Sequence, residues 1–167
     1  MDTGVVAITR RAAFGDVIGA TVVADELARQ GYNVQLNTLP QIVQSGVFQY
    51  HPSINTFGSQ DAPCHVNLDG AYEHSELRKT RSAMSLFYEV AEAQLGRHGI
   101  RLRPMCNLRP QLRVLPEEAA AMREYLRPFP RPWVIVVPKS NHWPNRTVPQ
   151  DLWKNTAPLV NGTMLWT

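Results

Sequence analysis

Asp16 stands at the end of the stretch Arg10-Arg11-Ala12-Ala13-Phe14-Gly15-Asp16, behind a glycine and a pair of cations. A carboxylate in that setting can act as a general base, taking the proton from a hydroxyl as it attacks, while Arg10 and Arg11 favour its ionised form and weaken it as a base. The same residue type also caps helices by accepting from free N–H groups of the first turn, so the turn alone leaves both uses open. A second stretch, residues 138–149, reads Pro-Lys-Ser-Asn-His-Trp-Pro-Asn-Arg-Thr-Val-Pro. Lys139, Ser140, Asn141 and Arg146 there are the cations and polar groups that a diphosphate requires, ahead of a helix start that would add its own donors. An ordinary polar loop packed under Trp143 accounts for the same residues equally well.

Other chemistries are missing from the pattern. Gly15 and Gly19 stand alone, so there is neither a dinucleotide fingerprint nor a phosphate-binding P-loop. No serine sits in a nucleophile elbow. His51, His65, His74, His98 and His142 have no metal-ligand spacing, and Cys64 and Cys106 are too far apart for a zinc cluster or a disulfide framework. Two isolated cysteines fit a reduced cytoplasm. The formal charge is +3, with a sequence pI near 9.1. The arginines are scattered, not gathered in a stripe with aromatics, which argues against nucleic acid. The densest run, Arg97, Arg101, Arg103, Arg109 and Arg113, reads as a solvated connecting face; a patch for an anionic glycan or a membrane surface is the sharper alternative. No apolar run is long enough to span a bilayer, so membrane contact is expected to be peripheral at most, at the inner face.

The elements that must position these residues follow from periodicity. Residues 4–9 (GVVAIT) form a β-branched strand, Val17 to Gln30 a helix closed by Gly31, and residues 33–38 a second strand. Strand, helix and strand within about 35 residues make a βαβ crossover and therefore parallel strands. A short helix is expected near Gln41 to Phe48, with turns at His51-Pro52 and Phe57-Gly58, then a buried strand from Cys64 to Leu68 ended by Asp69-Gly70. Met84, Phe87, Ala91 and Leu95 recur at helical spacing, stopped by Gly96 and Gly99. Pro116 opens another helix, with Ala119, Met122 and Leu126 on its apolar face. Residues 128–132 are a Pro-rich linker, which divides the chain into a domain over 1–127 and the first βαβ unit of a second over 133–167.

The strand, the phrase running from Arg10 through Asp16-Val17-Ile18, and the later Asn145-Arg146-Thr147-Val148-Pro149 with Trp153 resemble the family 9 glycosyltransferases, which include the bacterial lipopolysaccharide heptosyltransferases. Arg146 stands where that family commonly has lysine, and Val148 where it has tryptophan. The resemblance implies the GT-B type of α/β fold: a Rossmann-like parallel sheet with helices on both faces, and a second such domain that this chain only begins. It also implies inverting sugar transfer, a heptose being one candidate, from a nucleotide sugar to a glycan or lipid-linked glycan, without metal or other cofactor. Asp16 would then be the base. Arg10, Arg11 and Gly15 would lie on the acceptor side, and Lys139, Ser140, Asn141 and Arg146 at the donor diphosphate. The reading from a different class is a non-catalytic Rossmann-like module that binds a nucleotide or glycan without turnover.

Overall fold

The computed structural model describes residues 4–58, 62–104 and 108–131, together with the strand backbones 133–136 and 163–166. Two compact units divide between Arg113 and Val114. The expected boundary lay later, in the Pro-rich stretch, so the helix opened by Pro116 falls in the second unit.

In the first unit, β1 (Val5–Thr9), β2 (Asn33–Asn37), β3 (Thr56–Phe57) and β4 (Cys64–Asn67) form one sheet in the order β3-β2-β1-β4. Every pairing is parallel: Val6 lies opposite Val34 on one side and Cys64 on the other. β1 is thus central, and Arg10 leaves its carboxyl end with its own N–H bonded to the Asn37 carbonyl. That is the end of a parallel sheet where ligands commonly lie.

Helix α1 (Phe14–Arg29) makes the crossover from β1 to β2. It starts three residues before the expected Val17, with Ala13 as the N-cap. Gly15 suggested a turn because glycine costs a helix interior about 1 kcal/mol relative to alanine. The burial of Val17, Ala20, Val23, Ala24 and Leu27 outweighs that local preference. The helix ends as expected: Gly31, at φ 90°, donates to the Ala28 carbonyl in the left-handed conformation that glycine adopts freely.

α2 (Pro40–Gln44) is shorter than the expected 41–48, and the two-residue β3 precedes Gly58, so Phe57 of the expected Phe57-Gly58 turn ends a strand. α3 (Ala83–Gly96) matches its periodicity; Ser82 caps it by accepting from the Ser85 N–H. Val6, Ile8, Val34 and Val66 share one hydrophobic cluster with α1 and with Phe87, Ala91 and Leu95 of α3. Gly19 of α1 faces α3, where a Cβ would sit 3.4 Å from Phe87 Cε2 and 3.6 Å from Met84 Cγ, in ordinary van der Waals contact. At the outer side of β4, the Gln94 amide of α3 donates to the Asn67 carbonyl and accepts the Asn67 N–H, both at 2.8 Å.

The segment after α3 is tied down by Glu26, whose side chain is 1% exposed. It accepts from the Arg103 side chain at 2.7 Å, from the Arg103 backbone N–H, and from Gln30 and Arg29. Burial pushes the Glu26 carboxyl up, but these donors outweigh it and hold the group below its ordinary value. A depressed carboxyl stabilises the fold above the unfolded-state pKa of about 4.3 and loses that effect as pH falls through the folded value. Glu26→Gln should therefore cost about 1–3 kcal/mol at neutral pH, and the deficit should shrink steadily as the solution is acidified below about pH 4.3. Thermal unfolding followed by circular dichroism across that range checks it. A deficit constant with pH would show that the charge is not involved.

In the second unit, α4 (Pro116–Leu126) has its N-terminal turn satisfied by Glu118, which accepts the Leu115 N–H at 2.8 Å. Its expected apolar face is not covered within the described residues: Met122 is 55% exposed, and no α4 residue is buried. β5 (Trp133–Val136) and β6 (Thr163–Trp166) pair in parallel, Trp133 opposite Thr163.

Candidate functional site

The turn after β1 and the loop after β4 meet because the two strands are neighbours, and five charged side chains come together there. Arg10 is the largest fully buried side chain among the described residues, at 1% exposure. Its Nη1 donates to the Leu68 carbonyl at 3.0 Å and to Glu73 Oε2 at 3.1 Å, and its Nη2 donates to Glu73 Oε1 at 2.5 Å. The guanidinium carbon lies 4.9 Å from the centre of the Phe87 ring, within cation–π range. A buried guanidinium needs this provision, since an unpaired charge in an apolar core is costly. Only Arg10 Nε is left without a hydrogen-bond partner among these groups.

Asp16 lies in the first turn of α1, not at its cap. The cap position falls to Ala13, which has no side-chain acceptor, so the capping use weighed for Asp16 is not the one observed. Its carboxylate is 34% exposed, and Oδ2 is 3.7 Å from Arg10 Nη2. That separation is an ion pair without a hydrogen bond. Beside it, Gly15 is exposed, and a Cβ built there would meet nothing within 4 Å. Phe14, 40% exposed, stands at the head of the same turn. The result is an accessible carboxylate with open space next to it and a fixed positive charge behind it.

Arg11 points elsewhere. Its backbone N–H donates to Asp69 Oδ1 at 2.6 Å and its Nε to Asp69 Oδ2 at 2.9 Å, with the Arg11 side chain 58% exposed. Burial raises the Asp69 carboxyl, but the two Arg11 donors and the charge of Arg10 bring it below its usual range. Glu73 is also held low, chiefly by its hydrogen bonds from Arg10, against a smaller opposing effect of burial. Gly70, at φ 76°, makes the turn between these two carboxylates, and a Cβ on it would strike the His74 ring.

Arg10 and Arg11 in the loop after β1, and Gly15 and Asp16 in the first turn of α1, thus lie close together in the chain, with Arg10 paired to Asp16 and Arg11 turned to Asp69. Lys139, Ser140, Asn141 and Arg146 lie outside the described residues. Sequence reasoning missed Glu73 and Asp69. Their signal was topological: the loop after β4 leaves the same end of the sheet as the loop after β1, once the two strands are known to be adjacent.

Towards the carboxyl end of α1, a cavity of about 400 Å³ is lined by Asp25, Ala28, Arg29, Pro52, Ser53 and Gln111. Ser53 Oγ donates to Asp25 Oδ1 at 2.6 Å, while His51 Nδ1 accepts the Ser53 backbone N–H at 3.2 Å. The histidine therefore does not address the hydroxyl, and the three residues do not form a hydrolytic relay. No group of three or more His, Cys, Asp or Glu arranged to hold a metal occurs among the described residues, and no described helix is long and apolar enough to cross a membrane. Cys64 is a free, buried thiol whose pKa burial raises.

No protein-family model matches the chain, and no curated protein does. Among solved structures, the crystal structure of the glycosyl transferase family 9 from Veillonella parvula DSM 2008 is similar in fold, with 16% identity and a TM-score of 0.69. The similarity covers 99% of this chain and 62% of that one, so this chain spans under two thirds of the other's length. The likeness shows the fold class: a parallel β-sheet flanked by helices on both faces, Rossmann-like and of the GT-B type.

Proposed function

We propose that this chain forms the acceptor side of a glycosyltransferase, which moves a sugar from a nucleotide-sugar donor to a glycan hydroxyl with inversion and without a metal. Asp16 is the general base, accepting the hydroxyl proton as that oxygen attacks the anomeric carbon and the nucleoside diphosphate departs. The observation that carries the reading is the Asp16 carboxylate itself. It is accessible, at the carboxyl end of the central strand, uncommitted to capping, and next to open space over Gly15. The fold shared with a family 9 glycosyl transferase supports it. The Lys139 and Arg146 cations, the Ser140 hydroxyl and the Asn141 amide are assigned to the donor diphosphate on their chemistry alone. A heptose donor, a lipid-linked acceptor and a cytoplasmic site at the inner face of the membrane complete the proposal.

The test is to incubate the acceptor side, joined to a complete donor-binding domain, with a panel of nucleoside-diphosphate sugars and a lipid-linked glycan extract. Release of nucleoside diphosphate that depends on the extract is expected, together with a product whose anomeric configuration, read by proton NMR, is opposite to the donor's. Saturable nucleotide-sugar binding without release would favour the non-catalytic binding module instead.

A further inference from the structure

Two carboxylates compete for one guanidinium at this site, and the distances show which has it. Glu73 takes Arg10 through both oxygens, at 2.5 and 3.1 Å, whereas Asp16 stands off at 3.7 Å. We infer that Glu73 is a positioning residue, which holds the Arg10 guanidinium back from Asp16 so that the Asp16 carboxylate stays open to an incoming hydroxyl. The inference rests on the proposed role of Asp16 for its catalytic meaning, but not for its geometry.

A guanidinium has five N–H bonds in a fixed plane. On Arg10, Nη1 serves the Leu68 carbonyl and Glu73 Oε2, and one N–H of Nη2 serves Glu73 Oε1. Two N–H bonds remain, the buried Nε–H and the second on Nη2, and Asp16 is the other carboxylate within ion-pair range of Nη2. With Glu73 present, the planar fork is pinned from one edge, and Phe87 lies under its carbon. Lacking the Glu73 charge, Arg10 has no other carboxylate as near as Asp16, and the attraction between opposite charges would draw the pair into direct contact. A bound carboxylate of that kind is shielded from a substrate proton and weaker as a base. Arg11 is engaged instead with Asp69, through its backbone N–H and its Nε. Around Asp16 the charged groups are therefore Arg10, with Glu73 behind it, and the Arg11–Asp69 pair. His74 lies close enough to Glu73 for its charge to act on it.

Glu73 is 44% exposed and comes from the loop beyond β4, so its replacement removes a charge without opening the core. The first measurement is structural and needs no substrate: a crystal structure of the chain carrying Glu73→Gln. The Arg10 Nη2 to Asp16 Oδ2 separation should close from 3.7 Å to an ordinary charge-assisted contact of about 2.8 Å. Glu73→Asp, which keeps the charge but draws it back, should close the gap part of the way and serves in its place should Glu73→Gln fail to fold. A gap that stays at its present length in whichever of the two variants folds would overturn the inference.

The second measurement is transfer by the acceptor side joined to a complete donor-binding domain. Glu73→Gln should lower kcat about tenfold or more with little change in KM, and should move the acid limb of the pH profile to lower pH. Adding Arg10→Met should erase most of the further loss due to Glu73→Gln, since the effect passes through that guanidinium. A merely structural role would lower thermal stability and leave the acid limb in place, and that pattern overturns the inference. If wild type and variants alike transfer nothing while the gap still closes, the proposed function falls and the positioning inference stands.

Discussion

Asp16→Asn should reduce sugar transfer by about 10²–10⁴-fold, the usual contribution of a positioned general base, while the protein keeps its fold. The substitution suits the site because it changes one atom and removes the ability to accept a proton. Its structural cost should be small. Asp16 caps nothing, its carboxylate is partly exposed, and its contact with Arg10 is longer than a hydrogen bond. What is lost is a favourable charge in the first turn of α1, about 0.3–1 kcal/mol. Thermal melts of the two proteins should therefore nearly coincide, with KM little changed and kcat collapsed. Transfer near the wild-type rate would remove Asp16 from the mechanism. A large loss of stability would instead show the carboxylate to be structural.

Phe87→Ala should destabilise the first unit by about 3–5 kcal/mol, the range for deleting a buried aromatic ring. Small domains have only about 5–15 kcal/mol in total, so this one change approaches the stability of the unit. Phe87 is 0% exposed, packs against Gly19 of α1, and lies under the Arg10 guanidinium. Its removal leaves a cavity between α1 and α3 and takes away the cation–π contact as well, worth about 0.5–2 kcal/mol. Chemical denaturation followed by circular dichroism measures the loss. Phe87→Leu separates the two contributions, because it fills much of the volume but offers no π face. A Phe87→Ala loss below about 1.5 kcal/mol would mean that the core closes over the gap.

What the sequence disclosed depended on whether the deciding physics was local. The β1-α1-β2 unit was readable because β-branched runs, an apolar helical repeat and Gly31 all act over a few residues. The start of α1 was misplaced for the opposite reason: Gly15 is a poor helix former, and only burial deeper in the helix, against α3 and the sheet, settles its conformation. Asp16 and Arg10 could be singled out because they share one turn. Glu73 could not, since its bond to Arg10 spans 63 residues and exists only because β4 lies beside β1. Nothing in the composition of residues 62–75 announces that neighbourhood. The exposed apolar side of α4 shows the same limit from the other direction. Its periodicity fixes which side is apolar but not what, if anything, covers it.

The Gln94 amide that meets Asn67 occupies a slot normally filled by another strand. β4 ends the strand order of its sheet, and the bare backbone of such a border is a template on which a foreign chain can add itself. With one donor and one acceptor held at backbone spacing, the side chain imitates the peptide group of a neighbour and so covers that border at Asn67. The helix that builds the core beneath the candidate site thereby also occupies one of the backbone positions where a foreign strand would otherwise begin to pair.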